Sequence, residues 1–505
     1  MNHLAPAFAL ALVAFAGITP ASAAAEKRPP NIVFILADDL GWRDVAFENG
    51  DGFIETPNLD RLRAESMMFT QAYAGAANCA PSRACILSGM YTPRHGVYAV
   101  GTTDRGPMKK ARLVPVPNTQ ELKASFVTMA GALKARGYAT GQFGKWHLGS
   151  DKDGTGPKQR GFDVSDSRLI EPRAGFKDAA GVPDAKMIRS IDTAACAFIE
   201  ANKDRPFFAY IAHHAIHSPL EASPEAVQKF RAKAKTYVGP HVAPMYAACT
   251  YDFDAGVGEV LKKIADLGLT ENTVVVFTSD NGGTPASINE PLRGAKGAYY
   301  EGGIREPFTV RWPGVVKPGS RCETPIINED LYPTFLAISG TGAIPPELDG
   351  VNLTPLFTGA GDLASRAIFW HFPGYLDVPV PRGRDPVFRT RPVTVIRKGD
   401  WKLFLYHEEW LLDGGREKLD ANGAAELYNI REDIGERHDL ASVNKSKRDE
   451  LLADLLDWLK RTHAPMPTQA AITPPPAERR SGDVKAPAPA KVATKEAADE
   501  AFNRD

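Results

Sequence analysis

At 505 residues the chain is longer than one ordinary core accommodates, so two domains are expected. Lys plus Arg (60) nearly cancels Asp plus Glu (61), which argues against a nucleic-acid binder or a polybasic membrane protein. Any anionic ligand must therefore be met by a local patch.

The N-terminus carries an apolar run over residues 7–18, followed by Ala21-Ser22-Ala23, which fits a signal-peptidase site. The run is short for a membrane span. Residues 1–23 are expected to be a secretory signal peptide, with a secreted or periplasmic mature chain and no stable membrane span. Export makes disulfides possible. If Cys79 is spent on catalysis, Cys85, Cys196, Cys249 and Cys322 allow three pairings or remain as free thiols.

Residues 31–37 (NIVFILA) form a short, continuous apolar run rich in β-branched residues, the pattern of a strand buried on both faces of a parallel sheet. It ends in Asp38-Asp39. Open α/β sheets bind ligands beyond the carboxyl ends of their strands, and adjacent carboxylates repel unless a cation or proton intervenes. Thr56-Pro57 then fits the N-cap and first position of an amphipathic helix running through Leu59, Leu62 and Met67.

Next comes Cys79-Ala80-Pro81-Ser82-Arg83, followed by Ala84, Ile86 and Leu87. Pro81 suits a first helical turn, so Cys79 lies at a helix N-terminus, where free N–H groups and the dipole favour an anion and Arg83 adds a fixed charge. These residues fit a nucleophile in precursor form or a buried cysteine at a helix start.

Two further buried strands are expected over residues 138–144 and 206–212. They lead into Lys145-Trp146-His147 and into His213-His214-Ala215-Ile216-His217. A fourth, over 273–278 (TVVVFT), ends in Ser279-Asp280-Asn281-Gly282-Gly283. Asp38, Asp39, Asp280 and Asn281 would make an all-oxygen set suited to a hard ion such as Ca²⁺ or Mg²⁺, although Asp-Asn-Gly-Gly also describes a turn. Glycine-rich sequence around Lys296 lets backbone approach a ligand closely and equally describes a surface loop; Arg293 lies just before it.

Past Gly350 the helix–strand alternation fades, which suggests a second, smaller domain beginning near Ala364. Short strands are expected over 393–397, 401–406 and 426–429, with Lys398-Gly399-Asp400 as a hairpin turn and an amphipathic helix over 448–459. Trp370-His371-Phe372 lies at the junction, where His371 is a candidate pocket residue. From about residue 464 the composition turns to Ala, Pro, Lys and Glu, the signature of a disordered tail. The expected domains are 30–363 and 364–466, with a tail over 467–505. The fold class is α/β: a large mixed, mostly parallel sheet flanked by helices, with a smaller C-terminal antiparallel sheet and helix.

The C-x-P-S-R run with its small-residue helix resembles the signature of the type I sulfatases of the alkaline-phosphatase superfamily. The G-K-W-H-L-G, H-S-P and Y-E-G-G-x-R-E-P runs resemble that family as well, from about Pro30 to Met466. The resemblance implies conversion of Cys79 to formylglycine by a formylglycine-generating enzyme, with a calcium ion held by Asp38, Asp39, Asp280, Asn281 and residue 79. It further implies that the hydrated aldehyde, a gem-diol stabilised by Arg83, attacks a sulfate monoester. Lys145 and Lys296 would offset sulfuryl charge, His217 would protonate the leaving oxygen, and His147 would take a proton from the second hydroxyl to expel sulfate. His214, Arg293 and His371 are candidate substrate contacts.

The expected substrate is a sulfated carbohydrate or an aryl sulfate. A phosphodiesterase or phosphonate-monoester hydrolase of the same superfamily is the alternative within hydrolases. A catalytically silent binder of sulfated glycans is the alternative outside them. Substrate choice is expected to lie in the loops 102–118, 151–184 and 373–391, the first carrying Arg105, Lys109, Lys110 and Arg112.

Overall fold

The computed structural model describes residues 1, 28–49, 52–171, 173–340 and 343–469; the expected signal peptide after Met1 and the expected tail after Gln469 lie outside the described residues, while Thr468–Gln469, expected to belong to the tail, pairs as a short strand with Leu113–Val114. The elements that position the site are, in order, β1 (Asn31–Ala37), α1 (Pro57–Ala64), β2 (Met67–Phe69) and α2 (Cys79–Ser88). Then come β3 (Ala139–Gly144), β4 (Val164–Ser165), α3 (Ile188–Ala201) and β5 (Phe207–Ala212). They are followed by α4 (Pro244–Asp266), β6 (Thr273–Ser279), β7 (Thr309–Arg311) and β8 (Arg321–Cys322).

The eight strands form one sheet in the order β8-β2-β7-β6-β1-β5-β3-β4. Its middle, β6-β1-β5-β3, is parallel throughout, while β7 runs antiparallel to β6 and to β2. Every residue of β1, β3, β5 and β6 is buried, because helices cover both faces. On one side Val33, Ile35, Phe207 and Phe277 pack with Ile191 and Phe198 of α3 and with Phe253 and Val257 of α4. On the other, Phe34, Tyr210 and Val276 pack with Ala84 and Leu87 of α2. A sheet buried on both faces has no polar face to alternate with, hence the continuous apolar runs.

The C-terminal part is a second sheet: β9 (Ala367–Phe372), β10 (Val393–Lys398), β11 (Trp401–Tyr406) and β12 (Ala425–Asn429), antiparallel in that order. Lys398 pairs with Trp401 across a two-residue turn in which Gly399 adopts φ +59°. Helix α5 (Lys445–Arg461) packs on this sheet through Leu451, Leu452, Leu455 and Trp458, whose ring stacks on Phe369 at 4.6 Å.

The chain departs from expectation after Leu62. Helix α1 stops at Ala64, and Met67 begins β2 instead of continuing the helix. Thr56 does not cap α1 with its side chain either; its hydroxyl accepts from Ala46 N at 2.8 Å and donates to Asp60. All five cysteines are free thiols.

Candidate active site

Strand register gathers the site. Ala37 pairs with Ser279, and Leu36 and Gly144 both pair with Ala212, so four parallel strands end at one level. The residues just beyond them, Asp38-Asp39, Asp280-Asn281, His213-His214 and Lys145, therefore emerge along one edge. Gly144 makes this possible: at φ +91° a Cβ there would lie 2.0 Å from Ala212 O. Helix α2 brings its first residue to the same edge, and all ten of its residues are buried.

The result is a compact acidic cluster. One ligand atom from each of Asp38, Asp39, Cys79 and Asp280 lies within 4.8 Å of all the others. Asn281 Nδ2 donates to Asp39 Oδ1 at 2.9 Å, and Asp39 N donates to Asp280 Oδ1 at 3.2 Å. Asp38 Oδ1 and Asn281 Oδ1 are buried without a hydrogen-bond partner among the described residues. Three converging carboxylates and orphaned amide and carboxylate oxygens fit a hard divalent cation.

Three cations surround this set. Arg83 meets Asp280 Oδ2 at 2.7 Å, Lys145 Nζ meets Asp38 Oδ2 at 2.6 Å, and Lys296 Nζ meets Asp39 Oδ2 at 3.0 Å. Lys296 is set by its backbone. Its N–H donates to Gly283 O at 2.8 Å, and Gly297 N donates to Ala77 O at 2.7 Å. The Gly302-Gly303 pair closes in behind: a Cβ on Gly303 would lie 1.9 Å from Ala298 O, and one on Gly302 2.6 Å from Gly294 O. The Y-E-G-G run is thus the floor on which the lysine loop rests.

Burial raises Asp38 and Asp39, but the neighbouring cations outweigh it, Lys145 foremost at Asp38 and Lys296 at Asp39, and hold both below the ordinary aspartate value. Asp280 goes the other way, to about 7, because burial and Asp38 together exceed the pull of Arg83 and Lys145. Burial lowers Lys145 and Lys296, yet Asp38 and Asp39 hold both ammonium groups above the ordinary lysine value. The Cys79 thiol is pushed well up by burial despite the two lysines, so as a thiol it stays protonated and a poor nucleophile.

Three imidazoles complete a cavity of about 210 Å³ whose lining includes Asp38, Lys145, His147, His214, His217 and Lys296. Burial, with Lys145 and Arg83, holds His147 well below the ordinary value, and its Nδ1 has no hydrogen-bond partner among the described residues. The His217 Nδ1–H donates to Ser218 O at 2.6 Å, which leaves Nε2 facing Asp39 Oδ2 at 3.8 Å. Burial, then Lys296 and Lys145, lower His217 to about 4. His214 also lines the cavity and donates from Nε2 to Leu169 O at 2.7 Å.

Two expected contacts do not line this cavity. His371 is buried in β9, accepts from the Thr394 hydroxyl at Nδ1 (2.7 Å) and donates from Nε2 to Pro465 O at 2.9 Å, so both ring nitrogens serve packing. Arg293 lies 3.9 Å over the Tyr300 ring and donates to Tyr428 Oη and Glu436 O, which ties its loop to the C-terminal sheet. His213 faces away as well, toward Asp192 at 3.2 Å. Of the four basic residues in the first loop, only Arg105 reaches the cavity; Arg112 pairs with Asp413.

Sequence reasoning missed other parts of the wall. Glu171 and Lys186 line the cavity, and no local pattern marks either. The first and third specificity loops also join into one wall: Tyr375 N donates to Thr103 O at 2.7 Å, Arg105 N to Tyr375 O at 3.2 Å, and Arg105 pairs with Asp377 at 2.7 Å. Such cross-loop pairing has no sequence periodicity to reveal it.

Comparison with known proteins places this geometry. A family model described as Sulfatase matches residues 30–341, and one described as N-sulphoglucosamine sulphohydrolase, C-terminal, matches residues 295–464. A Formosa agariphila protein named Sulfatase is 32% identical, covering 87% of this chain and 90% of that protein. Human arylsulfatase A is 31% identical, covering 86% and 88%. The crystal structure of Ps i-CgsB in complex with k-i-k-neocarrahexaose superposes with a TM-score of 0.66 at 27% identity, covering 86% of this chain and 92% of that one. With the family model spanning most of the large sheet and the relatives running nearly end to end, the chain belongs to the sulfatase family and is a sulfuric ester hydrolase.

Proposed function

We propose that the chain hydrolyses sulfate monoesters on a carbohydrate, using a nucleophile made from Cys79 and a calcium ion held by Asp38, Asp39, Asp280, Asn281 and residue 79. The observation that carries this reading is the convergence of Cys79 with the carboxylates of Asp38, Asp39 and Asp280, next to a cavity that Asp38 shares with Lys145, Lys296, His147 and His217. A soft sulfur is the odd donor in an otherwise oxygen set, and conversion of Cys79 to formylglycine replaces it with oxygen. When present, the calcium ion supplies charge to the sulfuryl oxygens and the hydrated formylglycine supplies the attacking oxygen.

The chain's own residues do the rest. Arg83, locked on Asp280, fixes the charge beneath residue 79, while Lys145 and Lys296, held on Asp38 and Asp39 at the cavity wall, would supply their ammonium groups to the sulfuryl oxygens in a preorganised site. His217 Nε2 donates a proton to the leaving alcohol oxygen. Without a ligand it is neutral, but a sulfate ester about 4 Å away at an effective dielectric near 20 contributes about 4 kcal/mol, roughly three pKa units, toward the imidazolium. His147, held neutral, accepts the proton from the second hydroxyl at residue 79 as sulfate departs.

The carbohydrate part of the proposal draws on the neighbour whose structure holds k-i-k-neocarrahexaose. Residues 1–23 support a secreted or periplasmic location, and maturation would require a formylglycine-generating partner. Two measurements test the proposal: the mass of the tryptic peptide 64–83 from protein made in its own host, and turnover of an aryl sulfate against an aryl phosphate diester. An aldehyde at residue 79 with faster sulfate turnover is expected. Faster diester turnover would make the chain a phosphodiesterase, and an unmodified thiol that binds sulfated glycans without releasing sulfate would make it a binding protein.

A further inference from the structure

We propose that Lys186 is a positioning residue for the leaving-group proton transfer: its ammonium clamps the backbone of the His217 loop and so fixes the direction of Nε2. The inference rests on the role of His217 as general acid proposed above.

The His217 loop is held at two places. On the sheet side it exchanges backbone hydrogen bonds with the end of β1: Asp38 N donates to Ala215 O at 2.8 Å, and Ile216 N donates to Asp38 O at 2.7 Å. On the far side Lys186 Nζ donates to His217 O at 2.8 Å and to Pro219 O at 3.4 Å. The carbonyls of His217 and Pro219 flank Ser218, whose own carbonyl accepts from His217 Nδ1 at 2.6 Å. One ammonium therefore brackets the peptide unit that fixes the imidazole tautomer and aim. A charge-assisted bond to a carbonyl is the stronger kind, and a buried lysine whose hydrogen-bond partners among the described residues are carbonyls is an expensive way to close a loop unless the position matters.

The backbone at Lys186 points the same way. Lys186 and Met187 are consecutive residues in the left-handed region, at φ +56° and +57°, where non-glycine residues are uncommon. This pair precedes α3, whose first turn is fixed by Asp184: Arg189 N donates to Oδ1 at 3.0 Å and Ser190 N to Oδ2 at 2.8 Å. Met187 enters the core while Lys186, 5% exposed, reaches the cavity wall. Strain of this kind collects at functional sites because the surroundings must over-determine it. Lys186 makes no ion pair with Asp38, Asp39 or Asp280 among the described residues, and its hydrogen bonds go to the His217 loop.

The test uses calcium-loaded enzyme of measured formylglycine content and a series of aryl sulfates whose phenols rise in pKa. Lys186→Met is expected to lose little kcat on the most acidic phenol and about tenfold to a hundredfold on the least acidic, with KM nearly constant. Lys186→Arg should restore most of the loss. His217→Ala should show the same steepened dependence, and adding Lys186→Met to it should cost little more, because residues acting as a unit are non-additive. A uniform loss across the phenols, a loss in KM alone, or additive losses in the double variant would overturn the proposal. A flat dependence in His217→Ala would instead sink the general-acid role on which it rests. If Lys186→Met does not fold, Lys186→Gln, which keeps one donor without the charge, is judged in the same series by the same criteria.

Discussion

Lys296 is the sharpest place to test the electrostatics. Its ammonium is 5% exposed and lies 3.0 Å from Asp39 Oδ2, on the same cavity as Lys145. Lys296→Met keeps most of the side-chain volume and removes the charge. At about 4 Å and an effective dielectric near 20, one unit charge acting on the sulfuryl oxygens is worth about 4 kcal/mol. That corresponds to roughly a thousandfold in kcat/KM. Part of the loss belongs in KM, since the ground-state ester is already anionic, and the rest in kcat. The assay is steady-state hydrolysis of an aryl sulfate by variant and parent with matched formylglycine content and matched calcium loading, so that failure to mature or to hold the ion is not mistaken for lost catalysis. Lys296→Arg, which keeps the charge on a different fork, should fall between the two. A loss below tenfold in the methionine variant would refute the preorganisation argument for this residue.

Removing calcium with a chelator should lower the unfolding midpoint, and readdition to about a hundredfold over the dissociation constant should return about 2.7 kcal/mol of stability; an unchanged melt would mean the carboxylates hold no ion in solution. Lys402 is fully buried between Glu301 and Glu436, 2.9 Å from each; Glu301 also pairs with Arg305 at 2.9 Å, so Lys402→Met takes the cation from Glu436 and half the pairing from Glu301 and should cost about 3–5 kcal/mol in denaturant unfolding. A loss under about 1 kcal/mol would show that those carboxylates take up protons at little cost. His371, lowered to about 4 by burial, titrates near 6.5 when unfolded. The unfolded chain then binds the proton first, so the stability this histidine contributes is complete above about pH 6.5 and declines as pH falls toward 4, by about 3 kcal/mol. His371→Gln should flatten that part of the stability profile, and an unaltered profile would exclude the assignment.

The parallel core was legible because strands covered on both faces must be apolar throughout, and a run such as NIVFILA stopped by two aspartates has few other readings. Residues just past such a run are placed by register, so Asp38, Lys145, His217 and Asp280 could be grouped without knowing any distance. The misreadings have equally physical causes. Met67 sits five residues after Leu62, off the helical repeat, and strand pairing with Val310 claims it. His371 and Arg293 are polar residues among aromatics, a pattern shared by pocket linings and by buried packing contacts; here Pro465 O and the Tyr300 ring take them up. Lys186 was invisible because a left-handed backbone at a lysine is imposed by its surroundings and leaves no mark on its own sequence.

Charge balance explains why the separate parts of the site belong together. Three carboxylates, Asp38, Asp39 and Asp280, face three fixed cations, Arg83, Lys145 and Lys296, all of them buried. Each acid is matched by a base within hydrogen-bonding distance, so the interior tolerates the set without a ligand, although Asp280 is raised to about 7. Such a neutral cluster has no net pull on an anion. A divalent cation on the carboxylates would shift the balance by two positive charges and would free the lysine ammonium groups to turn from Asp38 and Asp39 toward a ligand. The chain as a whole, at net −1, offers an anion no long-range attraction. Selectivity for a sulfate ester therefore has to be created inside the cavity; in the proposed function it would come from the ion and the two lysines acting together, which accounts for acidic and basic residues converging on the same strand ends.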